Sequence, residues 1–299
     1  MIIDSHAHYA HPKFGTEFPY LCEEDGTWTI RRGTRDELLA DMQKNGITGF
    51  IEPSIGFDGI DGQMALVEAN KTCMWAAMGV HPTRCIRTPD KNRAHLSQRA
   101  EQALANGAAI VAIGETGLDY HYPRREQHRL RQKRWFVHQI KLADRLGLPL
   151  VLHVRDADGD ALRILRRFRT KLHGGVIHCF HGDLQTAEAY IGLGYALGIG
   201  GKLLWDDEEG RRLGETIRRV PLSALLAETD APFVFPDIGD GIAGKNQRKK
   251  LCNTSLILPA VIRRIAELRG EPRETVEETV YCNTIRVFGL IEKGGVSHE

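Results

Sequence analysis

The run Pro149-Leu150-Val151-Leu152-His153-Val154-Arg155-Asp156-Ala157 joins an apolar stretch, an imidazole at its end and the start of something polar. A short apolar run opened by proline reads as a strand buried on both faces, as in a parallel sheet. Ala161, Ile164, Leu165, Phe168 and Leu172 then keep the 3.6-residue period of an amphipathic helix, with Asp156 expected as its cap.

Moving outward, the same strand–helix unit recurs along the chain. Strands are expected over residues 2–6, 46–52, 73–80, 109–115, 149–154, 175–180, 195–200 and 224–229. Between them, Thr34-Arg35-Asp36-Glu37 is a capping box opening a helix that Asn45 and Gly46 close. Phe136, Ile140, Ala143 and Leu146 mark another helix before Gly147, and two more are expected over residues 255–269 and 273–288. Strand–helix alternation of this kind implies parallel strands joined by right-handed crossovers. The simplest solution is an α/β fold of the (β/α)8 TIM-barrel type. A doubly wound open sheet is the alternative, and the absence of G-x-G-x-x-G after the first strand counts against it. No linker or internal repeat interrupts the pattern, so residues 1–299 are expected to form one domain. Two long connections stand out. Residues 9–33 carry Phe14, Phe18, Tyr20 and Trp28, and residues 231–254 are rich in Gly, Pro and Lys. In a barrel both lie at the C-terminal face, where long loops form a substrate mouth; a decorative or oligomer-forming insertion is the other reading.

Composition bounds the class. The 299 residues are 42% hydrophobic and 26% charged, which excludes collagen-like, low-complexity and disordered chains. With 40 Lys+Arg against 39 Asp+Glu, the net charge of +1 lacks the global signature of a nucleic-acid binder. The cysteines, Cys22, Cys73, Cys85, Cys179, Cys252 and Cys282, form no C-x-x-C pair and suit a reducing compartment. No apolar stretch approaches the ~18–20 residues of a membrane span. Met1-Ile2-Ile3-Asp4 runs straight into a strand pattern, so no leader, no membrane association and a cytoplasmic location are expected.

The chemistry lies at the ends of the strands. His6 and His8 form H-x-H after the first, and strand period two puts both imidazoles on one side. Glu115, His153, His178 and Asp230 end four others. Polar groups beside apolar runs are costly unless paired or metal-bound. Barrel closure brings these ends into one ring, giving a His/carboxylate site for one or two divalent cations.

Taken in order, these segments resemble the TatD-related family of metal-dependent nucleases within the amidohydrolase superfamily. The resemblance rests on Asp4-Ser5-His6-Ala7-His8, Gly79-Val80-His81-Pro82, Gly114-Glu115-Thr116-Gly117-Leu118-Asp119-Tyr120, His153-Val154-Arg155-Asp156-Ala157, His178-Cys179-Phe180 and Glu228-Thr229-Asp230-Ala231-Pro232. It implies a binuclear centre in which His6, His8 and Asp230 hold one metal, His153 and His178 the other, and Glu115 bridges them. Two cations can clamp a phosphodiester and acidify a water, for which Asp230 would be the general base. Zinc, manganese and magnesium all suit the donors. Arg155 and Lys202 are candidate phosphate contacts. Tyr120, Tyr122, Trp205 and Phe233 are candidate stacking surfaces. His81 is open between leaving-group acid, phosphate contact and a cap to the third strand, and His181 has a weaker claim. Where the family has Arg-Asn-Glu-Pro, this chain reads Cys252-Asn253-Thr254-Ser255, and its 9–33 loop is long for the family.

Basic residues cluster twice. Arg124, Arg125, Arg129, Arg131, Lys133 and Arg134 read as a solvated helix face. Lys245, Arg248, Lys249 and Lys250, near the expected site, read as a phosphate path. The leading expectation is a 3′→5′ exonuclease on single-stranded DNA or RNA, monomeric or weakly oligomeric, with no obligate protein partner. The alternatives are a metal-dependent hydrolase of a small ester, lactone, amide or aminoacyl-tRNA ester, and a non-catalytic metal-holding protein.

Overall fold

The computed structural model describes residues 1–24, 26–121, 128–238, 242 and 249–290. Eight strands form one all-parallel sheet in the order β1 (Ile2–Asp4), β4 (Ile47–Pro53), β5 (Met74–Met78), β6 (Ile110–Asp119), β7 (Leu150–Arg155), β8 (Gly175–Ile177), β9 (Tyr195–Ile199) and β10 (Leu225–Ala227). The Ser5 amide donates to the Ala227 carbonyl at 3.0 Å, and Ala7 bridges to Ala231, so the last strand meets the first. The TIM-barrel expectation therefore holds, and the open sheet does not.

Inside the barrel, Ile3, Ile51, Ala77, Ala112, Val151, Val176, Ala196 and Leu226 form a layer with one side chain from each strand. Three small alanines among five larger aliphatics fill this layer, as the narrow interior of a closed sheet requires. Phe288 and Leu290 pack against this layer from the end of helix α10 (Arg273–Phe288). Strand period two then lifts polar groups above the layer: His153 follows Val151, His178 follows Val176, and Glu228 follows Leu226.

Outside, the helices among the described residues are α1 (Arg35–Lys44), α2 (Ile60–Ala69), α3 (Pro82–Cys85), α4 (Asn92–Ala105), α5 (Arg129–Leu146), α6 (Asp158–Arg167), α7 (Leu184–Ile191), α8 (Glu208–Arg219), α9 (Leu258–Arg269) and α10. The Thr34–Glu37 capping box is formed as expected. Asp156 does not cap α6. Its φ is +53° and its carboxylate meets His121, while Ala157 occupies the cap position without a side-chain bond. Asp158 and Asp160 in the first turn favour the helix dipole instead.

Residues 9–33, expected as a long substrate-side loop, carry regular structure of their own. They contain an antiparallel hairpin, β2 (Phe18–Glu24) and β3 (Thr27–Gly33), with Gly26 at φ +83° in its turn. Phe14, Phe18 and Tyr20 are buried and Trp28 packs against the same core, so these aromatics are structural. The hairpin is tied to the connection after β10: the Leu21 amide donates to the Cys252 carbonyl at 2.9 Å, and the Cys252 amide to the Pro19 carbonyl at 2.9 Å.

Candidate metal centre

Glu115 lies inside β6 rather than at its end, where the pairing with β7 shifts register between Ile113 and Thr116. The glycines around it have a steric reason. A Cβ on Gly117, at φ +129°, would stand 2.2 Å from the His153 carbonyl oxygen. Glycine there lets β6 and β7 approach closely enough for Glu115 and His153 to meet. β1 ends at Asp4, so His6 and His8 lie just past it. Ala7 still bridges to Ala231, and the two imidazole Nε2 atoms converge to 3.2 Å. His178 and Asp230 also follow their strands, and φ values of +48° at Cys179 and +57° at Asp230 show backbone strain concentrated there.

The donor atoms form a cage. His6 Nε2 lies 3.7 Å from Glu115 Oε2 and 3.6 Å from Asp230 Oδ1. His8 Nε2 lies 3.6 Å and 3.4 Å from the same two oxygens. A tetrahedral zinc-type site with bonds of about 2.0–2.1 Å has donor–donor edges of about 3.3–3.4 Å, so these four atoms fit one cation. The other Glu115 oxygen, Oε1, faces a second set: His153 Nδ1 at 3.0 Å, His178 Nε2 at 3.2 Å and His81 Nε2 at 3.3 Å. One buried carboxylate thus addresses two groups of imidazoles, one through each oxygen.

Three of the imidazoles are held from behind. His8 Nδ1 donates to the Pro53 carbonyl at 3.1 Å, which leaves Nε2 for the cage. Asp119 Oδ2 lies 3.3 Å from His153 Nε2, and Glu228 Oε1 lies 3.3 Å from His178 Nδ1. Carboxylates behind metal-binding imidazoles fix ring orientation and raise basicity. His6 differs: its Nδ1 has no partner, and its ring stacks on His178 at 3.7 Å between centroids. Asp4 accepts from the His6 amide, the Thr229 amide and hydroxyl, and the Ser255 hydroxyl, so it ties both ends of the closed barrel to residue 255. Sequence reasoning read Asp4 and Glu228 only as neighbours of ligands.

Electrostatics agree with a cation site. Burial alone would push the Glu115 carboxyl up, but the fields of His81 and His178 and bonds from His153 and His178 hold it well below the usual range. His8 is pushed up to about 8: burial opposes the shift, and the Asp230 bond and the Glu115 charge overcome it. His178 and His153 are likewise raised against burial by their carboxylate partners. His6 is driven well below its ordinary value by burial and by the charge on His178. Several buried imidazoles compete for protons around few carboxylates, an arrangement that divalent cations would relieve.

The remaining predicted residues divide. Arg155, Lys202, Trp205, His181 and Asp230 line a cleft of about 310 Å3 that opens onto His153 and His178. The Arg155 guanidinium has no partner among the described residues, and neither Asp156 nor Asp158 pairs with it. Asp156 meets His121, and Asp158 accepts from Tyr190. Lys202 pairs with Glu209 at 2.7 Å, and Trp205 donates to the Phe235 carbonyl at 2.7 Å. His81 caps α3, its Nδ1 accepting from the Thr83 amide at 3.1 Å, while Nε2 faces Glu115. Phe233 stands 6.3 Å from the His8 ring, beside His11 and Lys13.

Tyr120 does not reach the cleft: it is buried, its hydroxyl donates to Asp160, and Arg129 covers its ring. Of the basic runs, Arg131 binds the Cys85 and Thr88 carbonyls and Lys133 pairs with Asp160. Lys249 and Lys250 are exposed, whereas Tyr122, Arg124, Arg125, Lys245 and Arg248 lie outside the described residues. The altered Cys252–Ser255 segment is held firmly: Asn253 donates to the Thr229, Phe233 and Val234 carbonyls, clamping the turn that carries Asp230. No disulfide forms among the cysteines, and no helix among the described residues is long and apolar enough to cross a membrane.

Comparison with known proteins places this arrangement. The family model described as "TatD related DNase" matches residues 3–289. A 3′-5′ ssDNA/RNA exonuclease TatD from Cronobacter sakazakii is 33% identical over 255 residues, covering 85% of this chain and 91% of the relative. The enzyme of the same description from Pantoea ananatis is 32% identical, covering 86% and 94%. The crystal structure of a TatD homologue from Escherichia coli superposes with a TM-score of 0.75 at 27% identity, covering 97% of this chain and 98% of that one. A TatD-family hydrolase from Entamoeba histolytica shares the fold at TM-score 0.75 and 19% identity, covering 96% and 97%.

Proposed function

This chain belongs to the TatD-related DNase family of metal-dependent hydrolases, and on that footing we propose that it removes nucleotides from the 3′ end of single-stranded DNA or RNA. The observation that carries the reading is Glu115, whose two oxygens face two separate sets of imidazoles 3.0–3.7 Å away. Two divalent cations, zinc, manganese or magnesium, would supply Lewis acidity toward a phosphoryl oxygen and acidify the attacking water. His6, His8 and Asp230 would hold one and His153 and His178 the other, with Glu115 between them.

The chain's own groups do the rest. Asp230 has a side chain 17% exposed on the cleft side, placed to take the proton of the attacking water. Burial holds His81 below its ordinary pKa despite Glu115, and the Thr83 amide occupies Nδ1, so the ring proton sits on Nε2, facing the site. His81 therefore donates to a phosphate oxygen or to the leaving oxygen. Arg155, which has no ionic partner among the described residues, lines the cleft and binds phosphate in bidentate fashion. Lys202, shared with Glu209, adds a weaker positive charge.

End-labelled single-stranded oligonucleotides with Mg2+ or Mn2+ test the proposal. Stepwise shortening from the 3′ end, abolished by Asp230→Asn, is the expected result. No shortening, alongside turnover of an ester or lactone panel, would overturn it.

A further inference from the structure

Helix α5 carries a second feature, on its outer face. Gln132, Trp135, Phe136, Gln139, Ile140 and Ala143 are buried against the barrel. Opposite them, Leu130, Lys133, Arg134, Val137 and Lys141 recur at helical spacing and, with Arg93 from α4, line an open groove of about 440 Å3. His138 lines it too, bonded to Ser97. No carboxylate lines the groove among the described residues. Arg93 pairs with Asp90 and Lys133 with Asp160, whereas the exposed Arg134 and Lys141 have no ionic partner there. Leu130 is 71% exposed, a rare apolar side chain at the surface of this chain. A cationic stripe free of carboxylates attracts a phosphate backbone, whatever the bases it carries.

The first turn of α5 is linked to the wall of the cleft through the buried Tyr120. Arg155 lines the cleft, and its carbonyl accepts the Tyr120 amide at 2.8 Å. Arg129 covers the Tyr120 ring at 4.3 Å, and Leu130 follows directly. From Leu130 to Lys141 the stripe runs about 16 Å down the helix.

We propose that this groove binds the backbone of a single-stranded nucleic acid on the 5′ side of the bond being hydrolysed, with Arg134 and Lys141 contacting phosphates. The assignment rests on the exonuclease reading for the identity of its ligand. It concentrates positive charge on one face of a chain whose net charge is only +1.

The test compares the full chain with the Arg134→Gln/Lys141→Gln double variant, both substitutions being at exposed positions. Binding of a 20-nucleotide strand ending in a 3′ phosphorothioate is measured from 50 to 200 mM salt, with kcat/KM on a dinucleotide as reference. Loss of two phosphate contacts should weaken binding of the long strand and flatten log Kd against log salt by about 1.4. The native advantage then shrinks about 7-fold across that salt range. Dinucleotide turnover, too short to reach the groove, should change by less than 2-fold. Equal affinities and slopes for the two proteins would overturn the proposal, as would a proportional loss on the dinucleotide. So would binding of the native chain to phosphatidylserine vesicles, lost in the variant, in place of binding to the strand. If neither protein shortens any strand, the exonuclease reading fails, while the binding comparison still decides the groove.

Discussion

At the scale of single residues, the site is a competition for protons and lone pairs around Glu115. The imidazole and carboxylate donors were legible because each polar group closes an apolar run, where an unpaired one would be costly. What stands behind them was not. Glu228 faces His178 and the Cys179 amide, and Asp119 faces His153. Burial raises the pKa of the Glu228 carboxyl, partly offset by its bond to His178. Glu228→Ala should therefore lower affinity for metal about 10–100-fold by releasing the His178 ring. Competition against a chelator reads this directly, and unchanged affinity would remove Glu228 from the account. Asp230→Asn should lower kcat by about 10²–10⁴ as a lost general base. Single-turnover rates at saturating oligonucleotide check it.

At the scale of elements, two connections depart from expectation for local reasons that could have been read. Apolar residues at Phe18, Tyr20, Leu21, Trp28 and Ile30 flank Asp25-Gly26, a hairpin signal hidden among charges. The capping role of Asp156 failed because its left-handed backbone turns the carboxylate toward His121. The β6–β7 contact allows a sharp test. Gly117→Ala places a Cβ 2.2 Å from the His153 carbonyl at a backbone angle that L residues avoid. It should cost roughly 2–4 kcal/mol from strain and overpacking together. Urea unfolding gives the number. A loss under 0.5 kcal/mol would show that the strands separate freely.

At the scale of the whole molecule, the centre couples metal, protons and stability. His8 at about 8, and raised His153 and His178, bind protons more tightly folded than unfolded. Asp4 and Glu52 do the same, each pushed up to about 7 by burial. For all five, the stability gained by holding a proton is present at low pH and lost as pH rises through the folded pKa. The metal-free chain should therefore lose stability from pH 6.5 to 8. His6, whose pKa is depressed, acts in the opposite sense only as pH falls through and below its ordinary 6.5. Cations displace the imidazole protons, so the metal-bound chain should show the reverse slope, with metal affinity rising over the same window. Thermal unfolding across that range, with and without chelator, checks both; parallel slopes would contradict the coupling.

Local pattern alone was enough for the repeating strand–helix unit, the helix Arg273–Phe288, the capping box at Thr34 and the clustering of His and carboxylate residues at the strand ends. Periods of 2 and 3.6 and a polar residue after an apolar run are local properties. The folded chain alone shows which Glu115 oxygen faces which imidazoles, that Asp4 bonds Thr229 and Ser255, and that Arg93 joins the stripe of α5 in one basic groove. Those contacts join positions far apart in the chain, as with Asp4 and Ser255, 251 residues apart. Their partners are fixed by closure of the barrel and docking of its helices, which no local periodicity encodes.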